Sequence, residues 1–236
     1  ERRTSELIKY AANAFLAVKI TFINEIADLC EKVGADVSQV ATGIGLDERI
    51  GPRFLQAGPG YGGSCFPKDT MAVVNTARQV GVPLQIVEAV VKGNDERKRR
   101  MADKIIACVD GGIEGKTVAI LGLAFKPDTD DMRESPAIDI VRSLQKSGAK
   151  IQAYDPESMH EAKHLLPDIT YCEDAYDCAK GADVLAIVTE WDKFRALDFD
   201  RLAGVMKAKR LVDLRNVYDP EQVRKRGFTY VSIGRK

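Results

Sequence analysis

At 236 residues, 45% of them hydrophobic, the chain is long enough for two modest domains or one large one. Lysine plus arginine balances aspartate plus glutamate at 35 each, so no global field draws the protein to nucleic acid or to an anionic membrane. No apolar run approaches the roughly 20 residues of a membrane-spanning helix, and five cysteines without C-x-x-C spacing argue against a disulfide framework or zinc site and for a reducing, cytoplasmic setting.

The chain opens on Glu1 with no methionine and no signal-peptide pattern, which reads as a trimmed fragment. From residue 5 to 33, Ile8, Ala11, Phe15, Val18, Phe22, Ile26, Leu29 and Val33 recur at three- and four-residue steps. That spacing predicts one long helix, stopped by Gly34. At 1.5 Å per residue it is about 40 Å long, more than a small domain needs to cover itself. Leu16, Ile20 and Ile23 widen its apolar arc, and Lys9 and Asn13, an i,i+4 pair, fall within that arc. A polar pair facing a packed side is costly unless partnered. The alternative reading is a snorkelling lysine and a surface asparagine. Asp36 to Gly43 predicts a short helix, followed by a loop whose Arg49 and Arg53 can each be plain surface charge.

The most informative stretch is Gly58-Pro59-Gly60-Tyr61-Gly62-Gly63-Ser64-Cys65-Phe66-Pro67-Lys68-Asp69. Four glycines in six residues let a backbone reach φ > 0 and lie close against a ligand. Cys65 precedes a proline-started helix running to Gly81, so its sulfur is expected at a helix N-terminus, where free N–H groups and the macrodipole favour a thiolate. Asp69 falls in the first turn of that helix. Alone, Cys65 reads as an inert small hydrophobe; with the glycine run it suggests covalent chemistry on a carbonyl.

Val82 to Asp110 predicts a second long helix, with Ile86, Val90, Met101, Ile105 and Val109 as its stripe and Pro83 near its start. Its Arg97-Lys98-Arg99-Arg100 cluster, beside Asp95 and Glu96, reads as a solvated face rather than an RNA-binding patch. Gly111-Gly112 marks the expected boundary, giving a helical domain over 1–112 and a second domain over 113–236. From Lys116 the period changes to short apolar runs near 117–122, 149–154, 182–188, 210–214 and 229–233, with helical segments near 136–147, 173–180, 198–207 and 220–226. This alternation predicts an α/β protein with a doubly wound parallel sheet. The first strand exits at Gly122 without the other glycines of a dinucleotide fingerprint, which makes it a poor NAD site. The aspartates of the 125–136 loop lack the spacing and final glutamate of a calcium loop, and His160 and His164 lack a third ligand, so no metal is expected. Asp155 before Pro156 imitates a ribose-binding acid but reads as a helix cap.

The run 58–69 closely resembles the active-site segment of the UDP-glucose/GDP-mannose dehydrogenase family. Leu7 to Ala17, Arg49-Ile50-Gly51, the Phe125–Pro136 loop, Thr189-Glu190-Trp191-Asp192 and Asp213-Leu214-Arg215-Asn216 are similar to other segments of it. The resemblance implies an all-helical central dimerisation domain joined by a long helix to a Rossmann-like UDP-binding domain. It implies a complete enzyme that oxidises UDP-glucose to UDP-glucuronate with two NAD, through a thiohemiacetal and a thioester on Cys65. Lys9 and Asn13 would hold the oxyanion and the water, and Asp69 would help activate that water. Phe54, Tyr61, Gly62, Phe125, Lys126 and Arg215 would contact the UDP-sugar, and Arg133 the NAD. A homodimer through the first long helix is implied too, with Arg49 serving the partner's site. The family's N-terminal NAD-binding domain has no counterpart here, so this chain is expected to bind a UDP-sugar and catalyse nothing alone. The alternatives are a sister enzyme acting on GDP-mannose or a UDP-N-acetyl sugar, and a silent nucleotide-sugar-binding module.

Overall fold

The computed structural model describes residues 2–235. Helix α1, Arg2–Val33, runs unbroken through the predicted span and extends it at the N-terminal end. Its buried side carries mostly small residues, Ala14, Ala17, Ala27 and Cys30, with Ile23. Small side chains let neighbouring helices approach closely, and α3, Phe66–Gln79, and α4, Gln85–Ala107, pack there. The stripe that the periodicity singled out is on the other side: Ile8 and Phe15 are each 64% exposed, Leu29 55% and Phe22 48%. Helix α2, Val37–Gly45, starts where Asp36 accepts a hydrogen bond from the Ser38 N–H at 2.7 Å, the ordinary way an aspartate caps a helix. Helix α4 is shorter than the predicted 82–110, because residues 82–84 form the lead-in and the chain leaves the helix at Cys108.

The rest of the chain forms a six-stranded parallel sheet in the order β3-β2-β1-β4-β5-β6. Its strands are β1 Thr117–Leu121, β2 Lys150–Tyr154, β3 Thr170–Tyr171, β4 Val184–Ile187, β5 Arg210–Asp213 and β6 Thr229–Ser232. This is the doubly wound order, and it reverses between β1 and β4. The intervening helices are α5 Pro136–Lys146, α6 Met159–Leu165, α7 Ala175–Ala179, α8 Asp192–Arg195, α9 Phe199–Val205 and α10 Pro220–Lys225. Two-residue β3 and four-residue α8 were not predicted; neither is long enough to carry a period.

Period-2 alternation along β1 divides the interior. Val118 and Ile120 join α5 in one core, which continues through Met101 and Ile105 of α4 to Ile23 and Ala27 of α1. Ala119 and Leu121 face the second core, built with α7 and α9. The helical layer and one sheet face therefore share a continuous apolar interior. The C-terminal segment returns to that layer: the Gly234 carbonyl accepts from the Val37 N–H and its N–H donates to Glu31, both at 2.8 Å. No described helix is long and apolar enough to cross a membrane.

Candidate active site

Three residues from two helices, Lys9, Asn13 and Asp69, converge one turn into the helix that Cys65 opens. Cys65 is the N-cap of α3 and is exposed, while the other four cysteines are buried. One turn on, Asp69 is 1% exposed. Its Oδ2 accepts from Asn13 Nδ2 at 2.6 Å and lies 3.4 Å from Lys9 Nζ. The sequence expectation that Lys9 and Asn13 need a partner is met by this carboxylate. Lys9 does not face a packed side, however: its side chain is 62% exposed, and only the ammonium reaches inward. Asn13 spends one N–H on Asp69 and has a second to offer.

Residues 58–63 are buried, and polar side chains from α1 and α4 hold their backbone. Asn24 Oδ1 accepts from the Gly58 N–H at 2.9 Å, and Arg97 Nε donates to the Gly58 carbonyl at 2.6 Å. Asn94 accepts from the Tyr61 N–H at 2.8 Å and donates to the Tyr61 carbonyl at 3.1 Å. The reading of 97–100 as a solvated face is thus half wrong: Arg99 and Arg100 are exposed, but Arg97 is 2% and Lys98 1% exposed. Arg97 is held by Asp28 at 2.9 Å, and Lys98 lies 3.5 Å from Glu134. A signal for this was present, since 94, 97 and 98 fall on the stripe between Val90 and Met101. Sequence charge alone could not reveal it.

The same loop is wedged against the sheet half. The Gly63 N–H donates to the Arg133 carbonyl at 2.8 Å, and a Cβ on Gly62 would sit 2.3 Å from the Glu134 carbonyl oxygen. Only glycine fits at 62. Phe54, Tyr61, Gly62, Phe125, Lys126 and Arg215 together line one cavity of about 250 Å³, with Glu190 and Gln56. Arg215 is fixed there by the Val188 carbonyl at 2.7 Å, the Phe125 carbonyl at 3.2 Å and Glu190 at 3.0 Å. The rings of Phe54 and Tyr61 each meet Phe66 edge-on at 6.0 Å, and burial pushes the Tyr61 phenol up to about 12.

Arg133 belongs to a different cavity, of about 560 Å³, lined also by Ser64, Lys68 and Lys98. Its guanidinium is paired with Asp131 at 2.8 Å, which holds the Asp131 carboxyl below its usual range. Arg49 lines neither cavity; it is exposed and clasps Asp47 at 2.6 Å. Asp155 does more than cap. Its Oδ1 accepts from the N–H groups of Glu157 and Ser158 ahead of α6, while Oδ2 accepts from Leu123 and Ala124 N–H and from the Trp191 indole. The backbone donors after β1 are therefore occupied by a carboxylate, and Thr189 fills the space beside Gly122. This turn does not fit a dinucleotide pyrophosphate. Among the described residues no group of three or more His, Cys, Asp or Glu could hold a metal ion.

Two family models match the chain: the central domain of the UDP-glucose/GDP-mannose dehydrogenase family over residues 3–96, and that family's UDP-binding domain over 119–220. A UDP-glucose 6-dehydrogenase of Rhizobium meliloti is 62% identical over 99% of this chain and 54% of its own length. UDP-glucose 6-dehydrogenase TuaD of Bacillus subtilis is 46% identical over 98% of this chain and 50% of its own. Among solved structures, a UDP-glucose dehydrogenase from Pyrobaculum islandicum superposes with a TM-score of 0.87 at 38% identity, covering 99% of this chain and 52% of that one. The NDP-N-acetyl-D-galactosaminuronic acid dehydrogenase of Methanosarcina mazei gives 0.88 at 29% identity, over 99% and 51%. The chain spans about half the length of the curated relatives it matches. With its helical layer, its parallel sheet and both family models accounted for, the chain belongs to the UDP-glucose/GDP-mannose dehydrogenase family and comprises that family's central and UDP-binding domains.

Proposed function

We propose that this chain supplies the nucleophile and the nucleotide-sugar cleft of a UDP-glucose 6-dehydrogenase, with the division between its two domains near residue 112. The observation that carries the reading is the convergence of Asn13 and Lys9 on Asp69, one turn into the helix that Cys65 caps. The identity to UDP-glucose 6-dehydrogenases supports UDP-glucose as the sugar nucleotide.

In this reading the smaller cavity takes UDP-glucose, with Arg215 and Lys126 opposite its phosphates and the edges of Phe54, Tyr61 and Phe125 around it. NAD would supply the hydride acceptor, two molecules bound in turn each taking one of the two hydrides from C6. Lys68 and Arg133 in the larger cavity would meet its anionic pyrophosphate, and the turn after β1, whose N–H groups already bind Asp155, would not. The Cys65 thiolate adds to the C6 aldehyde carbon, and the carbonyl π pair moves to oxygen. The second Asn13 N–H and the Lys9 ammonium stabilise that oxyanion as fixed donors. After hydride loss the carbon is a thioester. Asp69 takes a proton from water as the water adds, and the Cys65 thiolate leaves, giving the carboxylic acid, which loses its remaining proton to solvent as the carboxylate. Pairing is in trans: two copies associate through α1, and Arg49, which clasps Asp47 in its own chain, serves the partner's cleft.

Calorimetry on the intact protein with UDP-glucose, GDP-mannose and a UDP-N-acetyl sugar tests the substrate, with UDP-glucose expected to bind tightest. Turnover is expected to yield two NADH per UDP-glucose, and Cys65→Ser to stall before the carboxylate. Full turnover by that variant removes Cys65 from its role. Residues 1–236 alone are expected to bind UDP-glucose and form no NADH.

A further inference from the structure

The glycine-rich loop is a partition. Tyr61 lines both cavities, the smaller with Arg215 and the larger with Arg133. A segment so rich in glycine loses much conformational entropy on ordering and brings few side chains to hold itself in place. Its order must come from its neighbours.

Asn94 is 3% exposed and makes with Tyr61 both hydrogen bonds that a paired strand would make, one accepted at 2.8 Å and one donated at 3.1 Å. The fit is close, since a Cβ on Gly60 would sit 2.9 Å from Asn94 Oδ1. Helix packing does not call for an amide here. Val90, one turn before, and Met101, two turns after, are buried apolar residues of the same helix. A buried amide costs desolvation that an apolar residue avoids, unless its bonds are made. Here they are made wholly to the loop. Tyr61 in turn presses its ring on Phe66, which directly follows Cys65.

We propose that Asn94 is a positioning residue: it acts through the Tyr61 backbone to set the shared wall of the two cavities. The proposal rests on the smaller cavity being the nucleotide-sugar cleft. Arg97 and Asn24 anchor the loop's other end at Gly58 and complete the support.

Calorimetric titration of the intact protein with UDP-glucose separates this from a purely structural role. Asn94→Ala is expected to weaken binding roughly tenfold, the worth of two lost hydrogen bonds, at unchanged stoichiometry. Asn94→Asp keeps the acceptor for the Tyr61 N–H and loses the donor, so it should fall between Ala and native. A residue needed only for folding would lower the stoichiometry and leave the dissociation constant of the folded fraction alone; that result overturns the proposal. If Asn94→Ala does not fold, Asn94→Asp decides, and native affinity in that variant overturns it. Native protein that gives no heat with UDP-glucose overturns the cleft assignment itself, a result distinct from the other two.

Discussion

The Asp69 carboxylate is where single residues decide most. It is buried, and its contacts with Asn13 and Lys9 compensate a charge that would otherwise be costly. In the proposed mechanism alanine at Lys9 or Asn13 removes an oxyanion donor, for which roughly 10²–10³ in turnover is the expected loss. UDP-glucose affinity should change little, and a loss confined to KM would reassign both residues to substrate binding. Cys65 is the other residue-scale case. It is exposed at a helix start, whereas burial raises the thiols of Cys30, Cys108 and Cys178. Iodoacetamide labelling read by peptide mass spectrometry should find Cys65 fastest of the five; equal labelling at Cys30 or Cys108 in folded protein contradicts this. Motif and spacing pointed to Cys65, Asp69, Lys9 and Asn13, and the structure brings the last three into contact. The sequence hid Asn94, Arg97 and Lys98, because charge and amide groups on a helix look solvent-bound until the neighbour that needs them is known.

Among the elements, α1 shows how far periodicity reads. It predicted the helix, but the most regular stripe turned outward, because the small residues, not the large ones, allow α3 and α4 to pack close. Ile8, Phe15, Phe22 and Leu29 lie seven residues apart on the exposed side. A seven-residue repeat drifts about 20° per two turns on a straight helix, so the stripe winds left-handed and suits a partner helix crossing at about 20°. Analytical ultracentrifugation at micromolar concentration should find two chains. Phe22→Asp should give a folded monomer; an unchanged dimer in that variant would move the interface elsewhere. In the sheet, the apolar strands and their parallel, doubly wound arrangement were readable from the alternation of strands and helices, while their order was not, and β3 and α8 were too short to leave a pattern.

At the scale of the whole molecule, stability has an alkaline limit. Burial raises the phenols of Tyr61, to about 12, and of Tyr218 and Tyr230. In the unfolded chain a tyrosine ionises near pH 10, at about its ordinary value. Between that pH and the folded values the unfolded state releases protons that the folded state keeps, so stability is complete below pH ~10 and falls as pH rises. Urea midpoints should drop between pH ~9 and pH ~11.5, and Tyr61→Phe should lessen the drop; a flat profile contradicts it. The wedging of residues 58–63 against Arg133, Glu134 and Phe125 has a kinetic consequence as well. These partners lie far apart along the chain, so closing the loop between them is slow compared with forming the helices of either half. The contacts of this loop with the sheet half are therefore expected to form after the helices of either half, and on the proposed function a nucleotide sugar held beside them would act as a latch on the whole chain, slowing its unfolding.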